Sequence, residues 1–226
     1  MKKSIFYKGL LIALVISIYC VPLVVYATGE VEQSAEKDDS PCLLANVFVL
    51  IDKSKSMRMQ ESLQCQLSNT ILEGLPINQQ QVWFGSGVFG QTFSAPPFTY
   101  SPRLAHVQLD SLCCMPAYGE MTKLDSLELF TFKEFFSRVE RARGQIVPNL
   151  LVIISDGDFS DSDATKAACV VLKEKYGIKI LVIRIGLAGS ENGAGNLYTI
   201  ASDGDYYADG ASEQILHAIL GFSQCP

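Results

Sequence analysis

Val47-Phe48-Val49-Leu50-Ile51-Asp52-Lys53-Ser54-Lys55-Ser56-Met57 is the stretch whose reading decides the fold. Five apolar residues, three of them β-branched, run without interruption and stop at an acid. An apolar run of strand length that does not alternate with polar residues reads as a strand buried on both faces, the pattern of a parallel sheet. Parallel sheets build their sites at the carboxyl ends of their strands. Asp52, Ser54 and Ser56 therefore place three oxygen donors where a site is expected. By composition alone, Asp-x-Ser-x-Ser arises in a chain of this length with odds of about one in twenty. A second uncharged run, Leu150–Ile154, gives the pattern weight because it too leads into an acid, through Ser155-Asp156-Gly157.

Outward from these runs, strands alternate with helices. Met57–Glu73 predicts a helix closed by Gly74 and Pro76. Gln81–Phe89 predicts a strand whose internal glycines, Gly85 and Gly87, imply the close approach of a neighbour. Gln91–Pro102, rich in proline and aromatics, reads as a hairpin edge or surface loop with exposed rings. Leu124–Arg143 has helical periodicity with a break inside it. Asp163–Tyr176 predicts a helix stopped by Gly177, and Ile178–Ile185 a strand. Gly195–Ser202 reads as a short helix and Tyr206–Ala208 as a short strand. Ser212–Phe222 reads as a last helix capped by Ser212. This order predicts an α/β fold with a doubly wound, mostly parallel, Rossmann-like sheet flanked by helices.

The chain has 226 residues and a formal net charge of −6. Its only basic cluster, Ser137–Arg143, reads as the solvated end of a helix, so nothing points to nucleic acid. Residues 1–27 read as a signal peptide: Lys2, Lys3 and Lys8 precede the uncharged run Gly9–Tyr26, and Ala27 offers a small residue for cleavage. The run is also near the length of a membrane anchor. Either way residues 42–226, the folded domain, are expected outside the cytosol, as a secreted, surface or periplasmic protein. Residues 28–41 form an acidic leader free of aromatics. Beyond Cys20 there are six cysteines, Cys42, Cys65, Cys113, Cys114, Cys169 and Cys225, an even set that favours disulfides in an exported domain. Zinc is disfavoured, with no Cys-x-x-Cys and two histidines, His106 and His217.

Tyr118-Gly119-Glu120-Met121-Thr122-Lys123-Leu124 supplies a glycine turn and a threonine between the two acidic loops. With these residues the chain resembles the von Willebrand factor type A domain family, from about Asn46 to Phe222. That family assembles a metal-ion-dependent adhesion site from three loops: Asp-x-Ser-x-Ser, matched by Asp52, Ser54 and Ser56; a threonine after a glycine turn, matched by Thr122; and an aspartate after a buried strand, matched by Asp156. The resemblance implies direct ligation by Ser54, Ser56 and Thr122, with Asp52 and Asp156 acting largely through water. Hydroxyls and carboxylates are hard donors suited to a divalent cation, Mg²⁺ first, with Mn²⁺ and Ca²⁺ as alternatives. Few of them are charged, which leaves the ion a position for an outside carboxylate.

The leading expectation is a non-enzymatic adhesion-type module that engages an Asp or Glu of a partner protein. An envelope assembly or scaffold factor is the alternative. A metal-dependent hydrolase with Asp52 as nucleophile is disfavoured, because no histidine lies near these loops in sequence. Lys53 and Lys55 read as exposed lysines able to steer an acidic partner. Asp158, Asp161 and Asp163 read either as a second cation site or as a solvated run before a helix. Some members of the resembled family join their ends by a disulfide. A Cys42–Cys225 bond is expected here, since a doubly wound sheet with a central first strand brings its termini together. It would close a loop of about 180 residues, for up to about 4–5 kcal/mol in the chain-entropy model.

Overall fold

The apolar run around Val49 becomes β1 (Ala45–Asp52), every residue of which is buried. β2 (Val82–Phe89), β3 (Asn149–Ser155), β4 (Ile178–Arg184) and β5 (Tyr206–Ala208) join it in one sheet of order β2-β1-β3-β4-β5, all pairs parallel. The computed structural model describes residues 43–90, 93–117, 124, 126–159, 161–186, 191–202, 204–208 and 212–222, all inside the compact unit Ser40–Pro226. Cys42, Cys225 and Thr122 lie outside the described residues, as do the signal segment and the acidic leader. β1 is interior rather than central, for β3 holds the middle of the sheet. Among the described residues no helix is long and apolar enough to cross a membrane.

Successive side chains of a strand face opposite ways, and β1 shows the consequence. Val47, Val49 and Ile51 meet α1 (Glu61–Glu73), α2 (Pro102–Cys113) and α6 (Ser212–Leu220) through Leu67, Ile71, Leu109, Leu112, Ile215 and Ile219. Phe48 and Leu50 meet α3 (Ser126–Arg143), α4 (Ser162–Tyr176) and α5 (Glu191–Ile200) through Phe132, Phe136, Leu172 and Leu197. Both faces are covered by helices, which is why these strands carry no polar alternation. Gly85 and Gly87 make room for the Phe48 ring: a Cβ at Gly85 would stand 2.5 Å from Phe48 Cδ2, and one at Gly87 3.0 Å from Cζ.

The structure refines several expectations. The segment after β1 begins as a 3₁₀ turn, Lys55–Gln60, before α1 takes over. α3 is a single helix without a break. Of the stretch Gln91–Pro102, the described residues, from Phe93 on, do form an edge: Ser94 and Thr99 exchange backbone hydrogen bonds with Val88 and Phe84 of β2. Its phenylalanines, expected to be exposed, instead tuck in, and Phe93 and Phe98 pack on the Phe48 cluster. This covers an otherwise open strand edge. Arg143 is half-buried rather than solvated, because it closes the amino-terminal end of the sheet. It donates to the carbonyl oxygens of Ala45 and Gln81 at 3.3 and 3.0 Å and lies over the Trp83 ring. α2 has no counterpart in the sequence reading, although Ser101 accepts from Leu104 N and Pro102 takes the first turn, the usual opening of a helix.

Candidate functional site

In the order β2-β1-β3-β4-β5 the winding reverses between β1 and β3, and ligand crevices of doubly wound sheets open at that point, beyond the strands' carboxyl ends. Asp52 ends β1 beside Phe89 of β2, and Ser155 ends β3. The topology therefore delivers Asp52, Ser54, Ser56, Ser155 and Asp156 to one edge.

Asp52 is fully buried, and both carboxylate oxygens are engaged. Oδ1 accepts from Ser54 N at 2.8 Å and Oδ2 from Ser155 Oγ at 2.6 Å. Gln64 of α1 is also buried, and its Nε2 donates to the Asp52 carbonyl at 2.7 Å, tying helix to loop. Burial pushes the Asp52 carboxyl up to about 7; the hydrogen bonds from Ser155 and Ser54 partly offset this, and the Asp156 charge adds to it. An acid in this position calls for a cation, and the nearest lysine in sequence does not supply it. Lys53 is buried rather than outward-facing, and its Nζ donates to the Cys113 carbonyl at the end of α2, 3.3 Å away. The strand alternation explains this, since Lys53 continues the face of Val49 and Ile51 that α1 and α2 cover. Lys55 is exposed as expected.

Ser54 precedes the 3₁₀ turn with extended backbone, yet its hydroxyl does not cap it. It lies instead 3.0 Å from the Ser56 hydroxyl. Neighbouring donors around an octahedral ion with bonds of about 2.0–2.1 Å stand about 3.0 Å apart. The spacing of the two serines therefore fits one edge of a divalent cation's coordination shell. Asp156 is half-buried, and its Oδ1 accepts from Asp158 N at 3.2 Å. Asp158 is exposed and Asp161 caps α4 by accepting from Ala164 N, so the downstream acids follow the helix-start reading. No group of three or more His, Cys, Asp or Glu that could hold a metal ion gathers among the described residues.

Sequence reasoning passed over Ser155 and Gln64. Ser155 was visible as the hydroxyl ending the second apolar run, and it bridges the loops by donating to Asp52 while accepting from Gly157 N at 3.0 Å. Gln64 gave no signal, because a glutamine within a helix reads as surface. Gly157 has φ +84°, and a Cβ there would collide with the Gly193 carbonyl and stand 2.6 Å from Leu197 Cγ. Gly157→Ala is expected to cost at least about 2 kcal/mol through strain and overlap; urea unfolding reads it, and a loss below about 0.5 kcal/mol would contradict this packing.

The sequence matches the von Willebrand factor type A domain over residues 46–220. No curated protein matches it. Manganese-loaded TRAP protein of Plasmodium vivax superposes with a TM-score of 0.62 at 16% identity, covering 78% of this chain and 72% of that one. The vWF domain of the type V pili tip protein Mfa5 from Porphyromonas gingivalis gives 0.62 at 12% identity, over 82% and 98%. An aerotolerance-related membrane protein from Bacteroides fragilis gives 0.59 at 18% identity, over 79% and 98%. At such identities the likeness speaks for the fold, whereas the match over residues 46–220 covers most of the chain. This chain belongs to the von Willebrand factor type A domain family.

Proposed function

We propose that the chain is an exported protein-binding module that holds a divalent cation, Mg²⁺ or Mn²⁺, with Asp52, Ser54, Ser56, Thr122 and Asp156, and engages through it an Asp or Glu of a partner protein. The observation that carries the reading is the pair of hydroxyls 3.0 Å apart beside a buried carboxylate. Such an ion would supply a positive centre with an open position for an anionic oxygen. The chain's own residues do the rest: Ser54 N and Ser155 orient Asp52, and Gln64 fixes the loop to α1. A manganese-loaded relative in fold and a pilus tip domain support cation use and partner binding. Residues 1–27 support export, by cleavage or as an anchor, with residues 42–226 as the folded part. Asp52 as a hydrolytic nucleophile is disfavoured, because it is buried with both oxygens already accepting hydrogen bonds.

Affinity capture of surface or envelope proteins on the immobilised chain tests this. Partners should be retained in Mg²⁺, released by EDTA, and at least tenfold depleted on Ser54→Ala. Retention that ignores both treatments would overturn the reading.

A further inference from the structure

α1 and α2 pack side by side on the Val47, Val49 and Ile51 face of the sheet. Cys65 of α1 and Cys113, the last residue of α2, are both half-buried, with their thiols close enough to interact across the seam. Two further ties run along this seam. Lys53 Nζ donates to the Cys113 carbonyl at 3.3 Å, and Ala117 N donates to Glu61 Oε1 at 2.7 Å. Lys53 belongs to the first site loop, Glu61 opens α1, and residues 113–117 lead in sequence towards Thr122. The seam thus fastens the first loop and its helix to the chain that runs into the second loop. Of its three contacts, only the cysteine contact can become covalent.

We propose that Cys65 and Cys113, free thiols in this structure, are a disulfide-forming pair that locks the α1–α2 seam on exposure to an oxidising small-molecule disulfide. Cys65 is the attacking group. The neighbouring Cys113 thiol lowers it to about 7, with burial opposing and the Lys53 charge assisting. The same contact, together with burial, pushes Cys113 up. With oxidised glutathione, the Cys65 thiolate attacks one sulfur, forms a mixed disulfide and expels one glutathione thiolate. Cys113 then gives its proton to solvent and attacks Cys65 Sγ, expelling the second glutathione. Two protein thiols are oxidised and one glutathione disulfide is reduced to two thiols. Cys169 does not compete: it is fully buried on the opposite face of the sheet, and burial raises it to about 12. Cys114 is the one to discriminate against, being adjacent and exposed.

The full chain is treated with oxidised glutathione, alkylated, and digested with trypsin without reduction. Peptide 59–103, which holds Cys65, should emerge linked to peptide 104–123. The link should persist in Cys114→Ser and vanish in Cys113→Ser. Oxidation closes a loop of about 50 residues and should raise the melting temperature by at least about 5 °C, a shift absent from Cys65→Ser. Recovery of Cys65 and Cys113 both alkylated, or a link that survives Cys113→Ser and disappears in Cys114→Ser, would overturn the assignment.

Discussion

Asp52→Asn is expected to abolish the thermal stabilisation that Mg²⁺ or Mn²⁺ gives the wild-type chain, while melting without metal at or above the wild-type temperature. The amide keeps the geometry, because its oxygen still accepts from Ser54 N and its NH₂ can donate to Ser155 Oγ, where the carboxylate accepts. What it removes is the buried negative charge. At a metal concentration a hundredfold above the dissociation constant, a cation adds about 2.7 kcal/mol, a rise of roughly 5–10 °C in a domain of this size. The asparagine variant should show none of it.

The pH dependence follows from the same carboxyl. Burial raises Asp52 to about 7, against roughly 4 in the unfolded chain. Its folded-state value is the higher one, so the stability tied to its proton is fully present below about pH 4 and is lost as the pH rises through about 7. Metal-free wild type should weaken over that window relative to Asp52→Asn. The shift produced by Mg²⁺ should grow from pH 5.5 to pH 8, as the cation takes the place of the proton. A variant that responds to metal like the wild type would remove Asp52 from the site.

Phe48→Ala is expected to cost about 3–5 kcal/mol. The ring is fully buried and meets Phe98, Phe132 and Phe135 with centroids 5.0–6.1 Å away. On its sheet side it fills the hollow left by Gly85 and Gly87. With two glycines beneath it, the vacated volume has no side chain able to relax into it from β2. Urea unfolding measures the loss, and a value below about 1.5 kcal/mol would mean that the aromatic cluster does not close over the sheet as described.

Both sites lie on the stretch from which the fold is most legible. Uncharged runs such as Val47–Ile51 and Leu150–Ile154 are the pattern of parallel strands buried on two faces, so together with the alternating helices they announce both the strands and the edge where their acids sit. α2 was legible in principle, through Ser101-Pro102 and the apolar spacing of Ala105, Leu109 and Leu112. The aromatic stretch ahead of it drew the reading towards a loop. The burial of Lys53 follows from continuing the β1 alternation by one residue, but its partner is a backbone carbonyl sixty positions away, which local pattern does not encode. Arg143 and Gln64 fail in the same way. Each is polar and helical and would be solvated by default, and each is held by backbone oxygen at or beside a strand end, Ala45 and Gln81 for Arg143 and Asp52 for Gln64. The approach of Cys65 to Cys113 is likewise a product of helix packing that spacing does not reveal.

Crystals of the chain grown with Mn²⁺ and measured at the manganese absorption edge test the central claim most directly. The account predicts one anomalous peak at the carboxyl ends of β1 and β3, in contact with the Ser54 and Ser56 hydroxyls. A fully occupied manganese elsewhere with none at these serines, or no peak at saturating Mn²⁺, would contradict it.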